Sequence, residues 1–194
     1  MADDPYFYPE TNCLINDLGI ADNDALNEAQ GRIVAARDVE IASGFLPGTY
    51  NLEHLQRFHS RLFGDVYLWA GRVRTVDIAK DDSIAFCPWQ FIEEQVSAHL
   101  AGLQGENLLI GYQPKEFIRQ LAHYYGGLNA CHPFRDGNGR TIRAFLRQLC
   151  AAAGYILDWS EATAEANVNA CRDNMISGEA TRLETLLSTV VRRI

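Results

Sequence analysis

The stretch from residue 132 to residue 143 reads HPFRDGNGRTIR, and it joins the end of one apolar helix pattern to the start of another. The first of these patterns opens at Pro114, and proline is favoured in the first turn of a helix. Apolar residues recur at helical spacing on both sides of the stretch; they are Phe117, Ile118, Leu121 and Tyr125 before it, and Ile142, Phe145, Leu146 and Leu149 after it. The sequence therefore predicts two core helices joined by a polar, glycine-rich loop.

Most of the remaining chain also has helical patterns. One helix is expected from about Asp24 to Gly44, and a second begins near Asn51, since polar residues favour helix starts and glycine favours helix ends. A further helix opens at Pro88, and two more helical stretches fill residues 160–192. The predicted fold class is therefore mainly α, a helical bundle in which all 194 residues form one domain.

Two segments differ from this helical pattern. Residues 1–23 are polar and carry three consecutive aromatic residues, and we expect an arm packed by their side chains: Tyr6, Phe7 and Tyr8. Between residues 71 and 87, two short β-rich pieces, Val73–Ile78 and Ile84–Phe86, flank the polar residues 80–83. Short β-rich runs separated by a polar turn are typical of a hairpin. We therefore expect one small β-hairpin on an otherwise helical chain.

The composition excludes several classes of protein. Apolar residues make up 47% of the chain and charged residues 22%, which is ordinary for a globular domain. The formal net charge of −8 argues against direct binding of nucleic acid, which requires a basic face. The five cysteines have no spacing typical of a disulfide framework or a zinc site. No signal peptide or membrane span is evident, so the expected location is the reducing cytoplasm.

The loop itself has the composition of a phosphate site. Glycine permits the backbone angles that turn successive N–H groups toward one point, asparagine tolerates the left-handed conformation, and the start of a helix favours anions. Gly137, Asn138 and Gly139 stand at such a start. Arg140, Arg143 and Arg147 follow at spacings of three and four residues, so we expect them to share one helix face. This local positive charge fits a polyphosphate.

Two further loop residues suggest the chemistry. Asp136 lies directly before the glycines, where a carboxylate would repel phosphate unless Mg²⁺ bridged them. His132, four residues earlier, could accept a proton from an attacking hydroxyl. We interpret Phe134 as a core residue that anchors the loop. The histidines outside the loop are interpreted as helix caps or satisfied core residues: His54, His59, His99 and His123.

Residues 132–143 resemble the signature of the Fic family, which runs His-x-Phe-x-(Asp or Glu)-Gly-Asn-Gly-Arg-x-x-Arg. All its defined positions match. Residues 63–78, which include Trp69, Gly71 and Arg74, resemble the entry to the family's hairpin flap, and residues 6–9 resemble the arm of short bacterial Fic toxins and of related conjugation-system or effector Fic domains. The resemblance is strongest from Leu52 to Tyr155. It implies a helical fold with a flap, and transfer of AMP from Mg-ATP to a protein hydroxyl.

The resemblance also implies roles for single residues. His132 would be the general base, and Asp136 would hold Mg²⁺ on the α- and β-phosphates. An anion hole would be formed by Gly137, Asn138 and Gly139, while Arg140 would bind near the β-phosphate and Arg143 would bind the γ-phosphate. The flap would dock a target segment by strand addition; its candidate residues are Ile78, Lys80, Ile84 and Phe86. Asn167 and Asn169 are the candidates for the adenine pocket.

Two other functions are alternatives to AMP transfer. A protein kinase of the Doc type binds the nucleotide in reverse, but these relatives carry lysine where this chain has Gly139. An inactive binding module would have lost the acid or the asparagine of the signature, and Asp136 and Asn138 are both present. A different base or transferred group stays open at this point.

Regulation and targets are expectations from the same resemblance. The family's internal inhibitory motif has Ser or Thr, three residues, Glu, then Gly or Asn. The spacing occurs here only at Thr49 and Glu53, and His54 follows in place of Gly or Asn. A separate small helical antitoxin would then supply a glutamate that contacts Arg143. The class of short toxins modifies DNA gyrase and topoisomerase IV, so a subunit of one of these is the suspected target.

Overall fold

The computed structural model describes residues 4–81 and 84–194. Within that part of the chain, seven α-helices and four short strands follow one another. The helices are α1 Asn23–Ser43, α2 Leu52–Phe63, α3 Ile92–Gly105, α4 Pro114–Cys131, α5 Asn138–Ala152, α6 Ala164–Ser177 and α7 Thr181–Val190. The strands are β1 Ala79–Asp81, β2 Ile84–Ala85, β3 Tyr155–Leu157 and β4 Val191–Arg193. The mainly α fold class is confirmed.

Local sequence explains where the helices begin. The side chains of Asp22, Asn51 and Thr163 accept hydrogen bonds from backbone N–H groups in the first turns of α1, α2 and α6. These are the residue types that satisfy unpaired N–H groups at a helix start. Helix α4 begins at Pro114, as predicted, and α1 ends before Gly44. These particular helix bounds are therefore set by local signals.

The core lies where α5 packs against α1, α2 and α4. Helix α5 is buried along most of its length, and its inward apolar residues include Ile142, Phe145, Leu146 and Leu149, all fully buried. Helix α2 contributes Leu55, Phe58 and Leu62. Since α4 and α5 lie on either side of the loop at residues 132–137, this packing fixes both ends of the loop.

The hairpin is shorter than predicted. Strand β1 begins only at Ala79 and pairs antiparallel with β2, so the expected strand over Val73–Ile78 is wrong. The physical reason is that two backbone groups of this segment, the N–H of Arg74 and the carbonyl of Val76, have partners other than a neighbouring strand. The Arg74 N–H donates to the carbonyl of Pro133 at 2.9 Å, and the Arg74 guanidinium donates to the carbonyl of Val76 at 2.6 Å. Of the polar turn, residues 82 and 83 lie outside the described residues.

A second sheet was not expected. Residues 191–193 form β4 and pair antiparallel with β3, so Leu157 lies opposite Val191 and Tyr155 opposite Arg193. The prediction that the last helix continues to residue 192 is therefore wrong. The apolar residues of this segment do not distinguish a last helical turn from a short strand. Residues 191–193 form a strand because β3, which precedes α6 in the chain, is there to pair with them.

Candidate functional site

A cavity of about 450 Å³ lies between the loop, the start of α5, helix α6 and the base of the hairpin. It brings together most of the residues that the sequence singled out: Ile78, Lys80, Phe86, His132, Asp136, Gly137, Asn138, Gly139, Arg140, Arg143 and Asn167. Ile84, Phe134 and Asn169 do not line it. Phe134 is fully buried, Ile84 is buried in β2, and Asn169 is exposed on α6.

His132 ends helix α4 in the left-handed conformation, with φ 44° and its N–H donating to the carbonyl of Leu128 at 3.1 Å. Its ring Nδ1 lies 3.0 Å from the carbonyl oxygen of Asn129. A carbonyl only accepts, so Nδ1 carries the proton and Nε2 is the basic nitrogen. Phe86 stacks on the ring with centroids 3.7 Å apart. Burial lowers the pKa of His132 to about 4, so the ring is neutral at pH 7.

Arg74 connects the loop to the base of the hairpin. Its buried guanidinium donates to the carbonyls of His132 at 2.9 Å and Cys131 at 3.2 Å, and also to that of Cys87. The end of α4 and the start of the segment after β2 are thereby held to one cation. The sequence indicated Arg74 only through its place before the flap, and the carbonyls that it binds lie on two separate segments.

Phe134 and Asn138 close the loop on itself. The Asn138 amide accepts from the N–H of Phe134 at 2.8 Å and donates to its carbonyl at 2.7 Å. The Phe134 ring stacks on His59 of α2, with centroids 4.0 Å apart. The Asn138 side chain is thus a buried clamp, and only its backbone is left for an anion. The left-handed conformation expected to suit this asparagine belongs instead to Gly137, at φ 78°.

Gly137 is required by both conformation and space. Besides its positive φ, a methyl group at this position would overlap the ring of Phe63. It precedes the first turn of α5, whose N–H groups have no partner within the helix and attract anions. A Cβ on Gly139 would lie 3.2 Å from Nη1 of Arg143, so the small residue leaves room for that guanidinium. The glycines therefore open the start of α5 to the cavity.

Asp136 is fixed from two other helices. Its carbonyl accepts from Nε2 of His59 at 3.0 Å, and its carboxylate Oδ2 accepts from Gln30 of α1 at 2.6 Å. Arg140 also donates to Oδ2, at 3.2 Å. Burial lowers the pKa of His59 to about 4, so it is neutral and accepts from the N–H of Gly71 at Nδ1. Sequence analysis missed the role of Gln30, because no local pattern marks a glutamine 106 residues before its partner.

The three arginines of α5 have different partners. Arg140 lies over the ring of Phe63, 4.7 Å from its centroid. Arg143 lines the cavity and forms no ion pair with any described residue. Arg147 is paired with Asp38 of α1, at 2.8 Å. The prediction that all three form a phosphate stripe is therefore wrong for Arg147, because α1 supplies a carboxylate at that turn of α5.

Other sequence interpretations have mixed outcomes. Asn167 lines the cavity and accepts a hydrogen bond from the hydroxyl of Tyr125 at 2.6 Å. His54 and His59 are buried with hydrogen-bonded rings, as expected of core histidines. His123 is exposed, so its assignment as a cap or core histidine is wrong. His123 lies on the solvent-facing side of α4, where a side chain need not be buried.

The residues present fit a magnesium ion bound together with a nucleotide. No cluster of three or more metal-ligating side chains occurs among the described residues, so a site built from protein ligands alone is not found there. Mg²⁺ in nucleotide sites characteristically takes one or two carboxylates and completes its shell with phosphate oxygens and water. Asp136 supplies one carboxylate at the cavity wall, beside the start of α5. That donor set is sufficient for such an ion.

The N-terminal arm packs on the same loop. Asp4 forms an ion pair with Arg135 at 2.8 Å, and the Arg135 guanidinium lies 4.7 Å from the centroid of Phe7. Tyr6 meets Trp69 edge to face. The prediction of an arm packed by its aromatic side chains agrees with these contacts. No helix in the described residues has the length and apolar character to cross a membrane.

Comparison with known proteins gives the same family throughout. The sequence model of the Fic/DOC family matches residues 49–150. The chain is 37% identical over 188 residues to the probable protein adenylyltransferase Fic of Escherichia coli, covering 97% of this chain and 92% of that protein. It is also 37% identical to the protein adenylyltransferase VbhT of Bartonella schoenbuchensis, of which it spans 39%.

Solved structures share the fold along nearly the whole chain. The BepC protein of Bartonella tribocorum, a VirB-translocated effector protein crystallised with AMPPNP, matches with a TM-score of 0.89 at 27% identity, covering 97% of both chains. An N-terminal Fic domain from Bartonella quintana with bound ADP also has a TM-score of 0.89 at 27% identity, over 97% of this chain and 94% of that one. With the loop signature, the family match over more than half of the sequence and this shared fold, the chain belongs to the Fic/DOC family.

Proposed function

We propose that residues 1–194 act as one Fic domain, a protein adenylyltransferase that transfers AMP from ATP to a hydroxyl side chain of a target protein. Its relatives from Escherichia coli and Bartonella carry this activity in their names, and related structures hold AMPPNP or ADP. The observation that carries the proposal is the shared cavity, where a neutral histidine faces the same space as the glycine-rich start of α5.

The residues of the cavity divide the reaction between them. The target hydroxyl oxygen attacks the α-phosphorus of ATP, and Nε2 of His132 takes the hydroxyl proton. The bond between the α- and β-phosphates breaks, and pyrophosphate leaves. The N–H groups at the start of α5 stabilise the charge on the phosphate oxygens, since prepositioned donors need no reorganisation during the reaction. Arg140 and Arg143 bind the β- and γ-phosphates.

Asp136 would hold the magnesium ion, which neutralises phosphate charge when bound. The flap would present the target. Strand β1 is short and exposed at Ala79 and Lys80, so its backbone can add a strand from another protein. Ile78, Lys80, Ile84 and Phe86 are the flap residues that we assign to docking. Phe86 joins the two functions, because it belongs to the flap and stacks on the base.

A Doc-type kinase is the alternative reaction. Gly139 argues against it, because kinases of that type carry lysine at this position of the loop. ATP labelled separately at the α- or γ-phosphate distinguishes the reactions in a lysate with Mg²⁺. Label transferred only from the α-position supports AMP transfer. Label from the γ-position, or no labelled protein, would contradict it.

We further propose that the enzyme is the toxin of a toxin–antitoxin pair, acting in the cytoplasm on a subunit of DNA gyrase or topoisomerase IV. All five cysteines are free thiols, which favours a reducing compartment. Arg143 has no ion-pair partner among the described residues, so a glutamate from a small helical antitoxin could bind it bidentately. The pair would occupy the γ-phosphate position.

Co-expression tests this regulation. Expression of the chain alone should slow bacterial growth, and an antitoxin should restore it. An antitoxin whose glutamate is changed to glycine should still bind but no longer block AMP transfer. A chain that is harmless and inactive when expressed alone would contradict the proposal. Mass spectrometry of AMP-modified proteins in the same cells identifies the target, and absence of gyrase and topoisomerase IV peptides would remove them as candidates.

A further inference from the structure

Gln30 lies on the inner side of α1 with only 4% of its surface exposed, although it is polar. Its amide contacts two groups of the candidate site. The amide nitrogen donates to Oδ2 of Asp136 at 2.6 Å, and the amide oxygen accepts from Nη1 of Arg140 at 3.0 Å. The same nitrogen donates to the hydroxyl of Tyr67 at 2.7 Å. One buried side chain thus joins the proposed metal ligand to a proposed phosphate ligand.

Only a side-chain amide can make this set of bonds. The acidic carboxylate requires a donor and the guanidinium requires an acceptor, and an amide carries both. A glutamate in place of Gln30 could not donate to Asp136, and an apolar residue would satisfy neither partner. Tyr67 fixes the remaining N–H, so the amide has one orientation. Because Gln30 is buried, each of these bonds is costly to lose.

The geometry also shows what Gln30 prevents. Asp136 and Arg140 are four residues apart and could form a two-pronged ion pair, the strong arrangement for arginine and carboxylate. In the structure they share only the contact between Nη2 and Oδ2 at 3.2 Å, because Gln30 occupies Nη1 of Arg140. Oδ1 of Asp136 receives no hydrogen bond from the described residues. That oxygen is left for an ion.

We infer that Gln30 is a positioning residue which limits Asp136 and Arg140 to a single contact and keeps both turned for a nucleotide with its divalent ion. The inference rests on the proposed function for the identity of that ligand. Gln30 itself does not line the cavity. Its effect passes through the two residues that do. Partners that orient a metal ligand commonly change metal affinity by tenfold or more when removed.

The test measures binding rather than turnover. AMPPNP is titrated by calorimetry into the full chain at a series of Mg²⁺ concentrations. The Mg²⁺ midpoint is the Mg²⁺ concentration at which the affinity for AMPPNP has risen halfway to its highest value. In Gln30→Met, which keeps the length but loses the bonds, this concentration should rise about tenfold. The same substitution in an Asp136→Ala background should have little further effect, since coupled residues are not additive. A packing defect alone would persist in that background.

Two variants complete the design. Asp38→Asn weakens the ion pair with Arg147 and so loosens α1 from α5 without contacting Asp136; it should lower the melting temperature and leave the Mg²⁺ midpoint unchanged. Tyr67→Phe removes only the hydroxyl that orients Gln30. It should raise the Mg²⁺ midpoint about threefold, because the loss of this orienting bond costs less free energy than the loss of the bond to Asp136. If Gln30→Met does not fold, the Mg²⁺ midpoint of Tyr67→Phe tests the inference in its place.

An unchanged Mg²⁺ midpoint in Gln30→Met, or in Tyr67→Phe when it must decide, overturns the inference. An equal shift with and without Asp136 also overturns it, because the effect would then not pass through that carboxylate. AMP transfer is assayed separately with labelled ATP. Wild-type chain that binds Mg-AMPPNP but modifies no protein would contradict the proposed function and leave this inference standing.

Discussion

The glycine-rich loop, residues 132–143, and the hairpin of β1 and β2, which we propose as the flap, border the same cavity but are built differently. In the loop, Pro133, Phe134, Gly137 and Asn138 are buried, and side chains from α1 and α2 bond its backbone and carboxylate. The flap has strands of three and two residues with an irregular register. Its first strand is exposed at Ala79 and Lys80.

This difference matches the two tasks. Phosphate chemistry requires donors and a base held in fixed positions, because rate depends strongly on their orientation. Recognition of a protein segment by strand addition requires mainly an accessible backbone edge. The two regions meet at Phe86, which stacks on His132, and at Arg74, which bonds carbonyls on both sides. Changes to the loop should therefore affect chemistry and stability, and changes to the flap should affect target binding.

The largest effect is expected at the base. His132→Ala should lower AMP transfer by about 10²–10⁴-fold, the usual cost of losing a general base. Binding of AMPPNP should stay nearly unchanged, because the ring acts on the hydroxyl. Labelled transfer and calorimetry measure the two properties. His123→Ala, at an exposed histidine of α4 outside the cavity, is the matched control and should transfer normally. Wild-type transfer by His132→Ala would remove this residue from the mechanism.

Gly137→Ala tests how firmly the loop is packed. The substitution should lower the free energy of unfolding by about 3 kcal/mol, from left-handed strain together with overpacking against Phe63. Gly178→Ala is the control: this residue has φ 75°, close to the 78° of Gly137, but open space around it. It should cost only the strain, about 1–2 kcal/mol. Urea unfolding measures both, and equal losses would show that packing at the loop contributes nothing.

A substitution in the flap should separate target binding from nucleotide binding. Lys80→Pro removes an N–H from β1 and should lower kcat/KM for the target by about tenfold, through the loss of roughly one to two backbone hydrogen bonds. AMPPNP affinity should not change. Lys80→Ala keeps the backbone and should act almost as wild type. If Lys80→Ala is as impaired as Lys80→Pro, the side chain rather than the strand edge recognises the target.

The smallest expected effect is a shift in pH dependence. In the proposed mechanism the neutral ring of His132 is the base, so kcat/KM should remain level from about pH 8 downward and fall only as the pH drops through the pKa of about 4. Phe86→Ala exposes the ring to water. Because burial is the main cause of the lowered pKa of His132, the acid limb of the profile should move to higher pH in this variant, by about one pH unit. A pH–rate profile for both proteins measures this, and an unmoved limb would show that Phe86 does not control His132.

Much of this architecture could be predicted, because the relevant signals are local. Helix α4 opens at Pro114, and α2 follows a capping asparagine, and each is fixed by bonds within a few residues. The expected strand at Val73–Ile78 failed because Arg74 bonds the loop, a contact 58 residues away in sequence. Helix α7 ended early because β3 was available as a partner for β4. Local sequence patterns do not show which partners distant in the chain will compete for a segment's hydrogen bonds.

The candidate site divides in the same way. The sequence by itself determined the loop: a histidine, an acid, two glycines and three arginines within twelve consecutive residues, whose spacing places them around the start of one helix. Tertiary structure decided how these groups are held. Gln30, His59 and Arg74 reach the loop from elsewhere in the chain, and Arg147 is diverted to Asp38. Side-chain hydrogen bonds act over about 3 Å, so their partners are known only once the helices have packed.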